Sequence, residues 1–183
     1  LMRADGDPDN IDSILVSGCL NKMAGDMTNN KTFKNIIILP YNTFKPHTSD
    51  KLPDISSDMI QKKGTGYDID WLIMLESFFS FFLTYSGNAG SPESNEVVIS
   101  SLWGIYDIAQ EKRIELHTMT DTIIWNGYDN EGNFIEGYSP PSRLTALSVA
   151  SNKAGENYAK RFYESLQPAT RVYSVPPLPD FSD

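Results

Sequence analysis

Trp71-Leu72-Ile73-Met74-Leu75-Glu76-Ser77-Phe78-Phe79-Ser80-Phe81-Phe82-Leu83 lies within a longer stretch from Tyr67 to Tyr85, and its reading decides the fold. Its polar positions, Glu76, Ser77, Ser80 and Thr84, fall at helical spacing on one narrow stripe. Trp, Phe, Leu, Ile and Met fill the rest of the circumference. A helix apolar almost all round is buried on most sides, so the spacing predicts a central helix over about 67–85, the hub of a helical core. The run carries Glu76 and is shorter than the ~20 residues of a membrane-spanning helix, which favours a core helix over a span.

The flanks are read against that hub. Asp68 or Asp70 is placed to cap it, and Tyr85–Gly90 ends it. Ser91-Pro92-Glu93 then starts a second helix, with Val98, Leu102, Ile105, Tyr106 and Ala109 on one face, packed antiparallel to the first. Upstream, Asp7 and Pro8 open a helix. Its apolar stripe is Ile11, Ile14, Leu15, Gly18, Cys19 and Met23, and Gly25 is its expected stop. Phe33–Leu39 reads as a strand or buried extended segment ended by Pro40. Pro40–Gly66 loses all pattern, as functional loops and arms ordered by a neighbour do; a turn or two of helix is expected within Asp54–Lys63.

Downstream, Arg113–Thr120 alternates as a strand or a frayed helix end. Thr122–Tyr128 and Asn133–Tyr138 read as a hairpin, with Gly132 supplying the left-handed residue of its turn. Arg143–Leu166 is helical, with Leu144, Leu147, Ala150, Ala154, Tyr158, Phe162 and Leu166 at spacings of three and four and a kink or split at Gly155. Pro176–Phe181 is polyproline-like. The expected fold class is therefore mainly α: a helical bundle around the central apolar helix (about 67–85) with a minor β-hairpin (about 122–138). It forms one domain over residues 1–175, readable as a piece of a longer chain, with a proline-rich tail or linker at 176–183.

Composition narrows the function classes. With 183 residues, 40% of them hydrophobic and 11% aromatic, the chain has the makings of one globular core. Lys and Arg number 15 against 24 Asp and Glu, a net charge of −9. Such a surface repels phosphate backbones, so no specific nucleic-acid contact is expected. The single cysteine, Cys19, excludes an internal disulfide and a cysteine-based zinc site, and its apolar neighbours mark it as a buried, inert thiol. No signal-peptide pattern and no disulfide framework point to a cytoplasmic or virion location.

Chemical motifs are weak throughout. Asp5, Asp7 and Asp9 are spaced like a calcium loop, but Asn10 and Val16 stand where its glycine and glutamate belong. Gly64-Thr65-Gly66 lacks the third glycine or the Gly-Lys-Ser/Thr of a phosphate loop. His47 and His117 are the only imidazoles, with neither a Gly-x-Ser-x-Gly nor a His-Glu-x-x-His pattern. Glu76 is expected on a solvent-side stripe with Ser80 and Thr84; the alternative is burial beside Arg113, Arg143 or Arg161. No catalytic or metal residue is assigned, and no cofactor is expected.

A hub greasy on nearly every side, a long loop and a proline-rich tail lead to one principal expectation. The chain is a non-enzymatic structural subunit of a self-assembling shell or scaffold, such as a virus coat protein. Its partners are other copies of itself or a neighbouring subunit. The contact residues expected are Trp71, Phe78 and Phe82 on the hub, Trp125, Tyr128 and Tyr138 on the hairpin, and Phe181 in the tail. The alternative is a peptide- or glycan-binding module using the hairpin aromatics and the 40–66 loop. A third reading is an enzyme centred on Glu76 and His117.

Overall fold

The phenylalanine-rich stretch is a strand. The computed structural model describes residues 8–39, 66–85, 94–129 and 131–163. In it Trp71–Tyr85 (β1) pairs antiparallel along its whole length with Ser94–Asp107 (β2), and β2 pairs with Lys112–Trp125 (β3). The sheet order is β1-β2-β3. Pro8–Asn29 (α1) precedes the sheet and Arg143–Lys160 (α2) follows it. The fold is α+β with more strand than helix, which corrects both the mainly α expectation and the helices placed at 67–85 and from Ser91 to Ala109. The cause is physical: a strand whose two faces are both apolar shows no alternation, and by periodicity alone it matches a buried helix.

Register shows which side chains share a face, because directly opposed residues point the same way. The inner face carries Val97, Ile99, Trp103 and Ile105 of β2, with Ile73, Leu75, Phe78 and Phe82 of β1 and Met119, Ile123 and Trp125 of β3 beside them. Leu15, Cys19, Met23 and Met27 of α1 and Ala146, Leu147, Ala150, Ala154 and Tyr158 of α2 complete this core. The indole of Trp103 lies flat on the Tyr158 ring, centroids 4.0 Å apart and planes 11° from parallel.

The two helices run in the same direction. The Ser151 hydroxyl donates to the Leu15 carbonyl, and one turn on, Gly155 faces the backbone of Cys19. α2 starts under the cap of Ser142, whose Oγ accepts the Thr145 N–H, and passes unbroken through Gly155. α1 likewise passes through Gly25, which costs only about 1 kcal/mol relative to alanine. It stops at Lys31, whose φ is 53°. There Thr32 N–H bonds to the Met27 carbonyl and Lys31 N–H to that of Thr28, the paired bonds that close a helix on a left-handed residue.

Other expectations change as well. Asp68, with φ 51°, and Asp70, whose carbonyl accepts Ile108 N–H, sit at a strand entry and not at a helix start. Residues 35–39 carry no regular secondary structure, and of these Ile36 packs on the core and Leu39 on a satellite cluster of Leu72, Tyr106 and Ile108. Thr122–Trp125 belong to β3, drawn into its ladder as far as the Asn95–Trp125 pair. The hairpin expected over 122–138 is thereby reduced to a tight turn with a single bridge, Tyr128–Phe134. Gly132 does adopt φ 85°. The Asp129 carboxylate accepts the Glu131 and Asn133 N–H groups, which holds its carboxyl below the usual range, the Asn133 amide contributing most. Residues 40–65 and the tail at 176–183 lie outside the described residues. Among those described, no helix is long and apolar enough to cross a membrane.

Cys19 is fully enclosed, and burial, reinforced by the charge of Asp121, pushes its thiol up to about 12. Thiolate is the reacting species. A maleimide should therefore label native protein only at the rate of global unfolding, and urea-unfolded protein within minutes. Stoichiometric labelling of the native chain within minutes would show that the helix pair opens locally.

Candidate interaction face

Both helices cover one face of the sheet. The other presents Ser77, Phe79, Phe81, Leu83 and Tyr85 from β1, Glu96, Val98, Ser100 and Leu102 from β2, and Leu116, Thr118, Thr120, Thr122 and Ile124 from β3. At one end of this outer face Leu39, Ile69 and Met74 pack on Leu72 and Tyr106. Beyond that end no other described element covers it. Phe79 is 60% exposed, Phe81 53%, Leu83 45%, Tyr85 50%, Leu116 44% and Ile124 59%. Since an aromatic side chain covers 150–250 Å², the exposed parts of these residues come to roughly 500 Å² of apolar surface. The largest apolar patch on a typical monomer covers about 300–600 Å² and is often functional.

A polar corner sits where the open and covered parts meet. β1 bulges at Glu76, between Leu75 and Ser77, and β3 bulges at Ile114. The first faces Leu102–Trp103 of β2 and the second Ile105–Tyr106, and a bulge re-aims the side chain it carries. Glu76 is laid across Gly104, where a Cβ would stand 2.0 Å from its Oε1. The Tyr106 hydroxyl donates to that oxygen at 2.5 Å, and Arg113 Nη1 stands 3.7 Å from Oε2. The Glu76 side chain is 1% exposed, which corrects its expected place on a solvent-side stripe and keeps Arg113 from the partners considered. Burial, and then the Glu76 carboxylate, push the Tyr106 hydroxyl well above the ordinary phenol range. Removing one partner of a carboxylate buried in this way is costly, because it leaves an uncompensated charge in the sheet. It does not meet His117, which pairs with Trp103 on the inner face, its ring 6.5 Å from that of Tyr158. The sheet separates the two groups on which an enzyme reading would centre.

The residues singled out from sequence are dispersed. Phe78, Phe82 and Trp125 point inward and pack against the core, with the Arg143 guanidinium 5.8 Å over the Phe82 ring. Trp71 closes the inner face edge-on to Phe33 and is 46% exposed. Tyr128 is exposed in the turn after β3, bridged to Phe134, and Tyr138 is half-buried. Phe181 lies outside the described residues. The outward residues of β1 were missed because a helical period does not separate them from their inward neighbours, whereas a period of two does.

A concavity of about 370 Å³ lies between α1, β3 and α2, lined by Lys22, Asp121, Thr122, Asn152, Lys153, Glu156 and Asn157 among others. Asn157 donates to Asp121 Oδ1 at 2.6 Å. Lys153 and Lys160 hold the Glu156 carboxyl down to about 2. Lys153 bonds Glu156 across the lining, while Lys22 pairs with Asp26 outside it. Among the described residues, no cluster of His, Cys, Asp and Glu is placed to hold a metal ion.

Compared with known proteins, residues 4–174 match the family described as "Domain of unknown function (DUF8603)". No curated protein and no solved structure matches the chain. The family description carries no activity or partner, and the virus-coat expectation finds no support in it.

Proposed function

We propose that this chain, which belongs to the family Domain of unknown function (DUF8603), is a non-enzymatic structural subunit that associates with copies of itself through the outer face of its sheet. The observation that carries this reading is the alignment of Phe79, Phe81, Leu83, Tyr85 and Ile124, each 45–60% exposed, on one face that neither helix covers. At ~25 cal/mol per Å², covering roughly 500 Å² contributes about 12 kcal/mol per copy before the cost of association, itself of the same order. The face thus drives association only where the opposing surface fits it. Copies carrying −9 each repel one another, and salt screens that repulsion while leaving apolar burial intact.

Light scattering should give a mass above 20.5 kDa that rises with protein concentration and with added salt. The double variant Phe79→Lys, Phe81→Lys should stay at 20.5 kDa with little change in its melting temperature. A native chain that remains at 20.5 kDa at high concentration and high salt overturns the proposal.

A further inference from the structure

The outer face is not uniform across its width. Reading the register across the strands, one row runs Phe79–Ser100–Thr120 and the next Phe81–Val98–Thr122. Both rows step from a large side chain on β1 to a short one on β3, a ridge beside a trough at the middle of the face, flanked by Leu83–Glu96–Ile124, with large side chains on both edges, and Ser77–Leu102–Thr118, with short ones. We infer that its occupant is a second copy of this chain, related by a two-fold axis that lies between the sheets and runs along β2. The inference rests on the self-association proposed above and adds its geometry.

A two-fold axis along the strands reverses every row while keeping its level. The ridge of one copy then fills the trough of the other, with Phe79 over Thr120 of the second copy and Phe81 over its Thr122. An axis across the strands keeps β1 over β1, stacking ridge on ridge and leaving a void between the threonine columns. Interfaces pack as densely as protein interiors, so the first arrangement is favoured. Sheets packed face to face keep their strands within about 30° of one another, which sets the axis within about 15° of β2. With the threonines included, the open face offers roughly 700 Å² per copy, close to the ~800 Å² that each side of a standard interface contributes.

The same axis has an unfavourable consequence that tests it. Glu96 lies on β2, on the outer face, between Leu83 and Ile124. Rotation about β2 therefore brings it opposite Glu96 of the second copy, whereas the crosswise axis sends the two to opposite ends of the interface. Facing carboxylates oppose association. Glu96→Gln should tighten the dimer about tenfold, and the Tyr85 hydroxyl that now donates to Glu96 at 2.7 Å keeps an amide oxygen to bond. Glu131→Gln, in the exposed turn after β3, changes the net charge equally and should alter the dimer less than twofold.

The direct test mixes Phe79→Cys and Thr120→Cys proteins with a short bis-maleimide, the enclosed native cysteine staying silent. One Phe79–Thr120 contact remains native in each mixed pair. Cross-links between positions 79 and 120, together with the tightening by Glu96→Gln, are the expected result. Cross-links predominantly from 79 to 79, or none from an assembly that light scattering shows to form, overturn this geometry and leave self-association standing. A chain that stays single at every concentration, its outer face taken by a different protein or a lipid surface, overturns both.

Discussion

Trp103→Ala is expected to lower the stability of the fold by about 3–5 kcal/mol, and the melting temperature by roughly 6–20 °C for a chain of this length. The side chain has no exposed surface and stands on the inner face of the central strand. It touches every layer of the core. Its ring stacks on Tyr158 of α2, its pair partners on the flanking strands are Leu75 and His117, and its Nε1–H donates to Ser101 Oγ at 3.0 Å. Truncation removes the stacking, strands the Ser101 hydroxyl in a buried site, and opens a void between sheet and helix that side chains in regular elements refill poorly. Total stabilities are about 5–15 kcal/mol, so the alanine variant can lie near the folding threshold. Trp103→Phe keeps a ring on Tyr158 and should lose only about 1–2 kcal/mol, which keeps the comparison measurable. Urea midpoints at unchanged slope give both numbers. A loss below about 1 kcal/mol for the alanine variant would mean that the sheet does not rest on α2 through this residue.

What the sequence made legible divides along the number of faces each element buries. α1 and α2 each bury one stripe, and the stripes of Leu15, Cys19 and Met23 and of Leu147, Ala150, Ala154 and Tyr158 are those the core uses. Even there the ends were set by groups outside the stripe, since α1 stops on Lys31 and not on Gly25. β1 is apolar on both faces: one packs on the helices, and the other is covered by neither of them. Period-two alternation is erased in such a strand, and the polar spacing of Glu76, Ser77, Ser80 and Thr84 then imitates a helix stripe. Part of that spacing comes from the bulge at Glu76, which shifts register within the strand. The residue types did carry the answer: the paired phenylalanines on either side of Ser80 within β1, and the Val97-Val98-Ile99 run in β2, are strand formers. β3 keeps its alternation, with Thr118, Thr120 and Thr122 against Met119, Asp121 and Ile123. Among the described residues, the exposed large apolar side chains of β1 are Trp71, Phe79, Phe81, Leu83 and Tyr85. The polar corner was half legible. Arg113 stood among three cationic partners weighed for Glu76, but Tyr106 and the cradle at Gly104 exist only once the strands are paired.

Gly155→Ala is expected to destabilise by about 2–4 kcal/mol, although the same change in an exposed helix interior stabilises by about 1 kcal/mol. The sign is reversed by the partner helix. A Cβ at position 155 would stand 2.1 Å from the Cys19 carbonyl oxygen, 2.9 Å from its carbon and 3.2 Å from its Cα. All three are backbone atoms of α1, so no side chain can swing aside. The helices must separate by about 1 Å, which loosens the Ser151–Leu15 hydrogen bond one turn away and the packing of Leu15, Cys19 and Ala154 between them. Overpacking of this kind costs about 1–3 kcal/mol, and the lost contacts along two parallel helices add to it. Gly25 supplies the internal control. It lies inside α1, a Cβ added there would meet no atom within 4 Å, and Gly25→Ala should raise stability by about 0.5–1 kcal/mol. Two chemically identical substitutions should therefore move the urea midpoint in opposite directions. If both raise it, α1 and α2 are not in backbone contact at Cys19, and the close crossing that fixes their common direction is wrong.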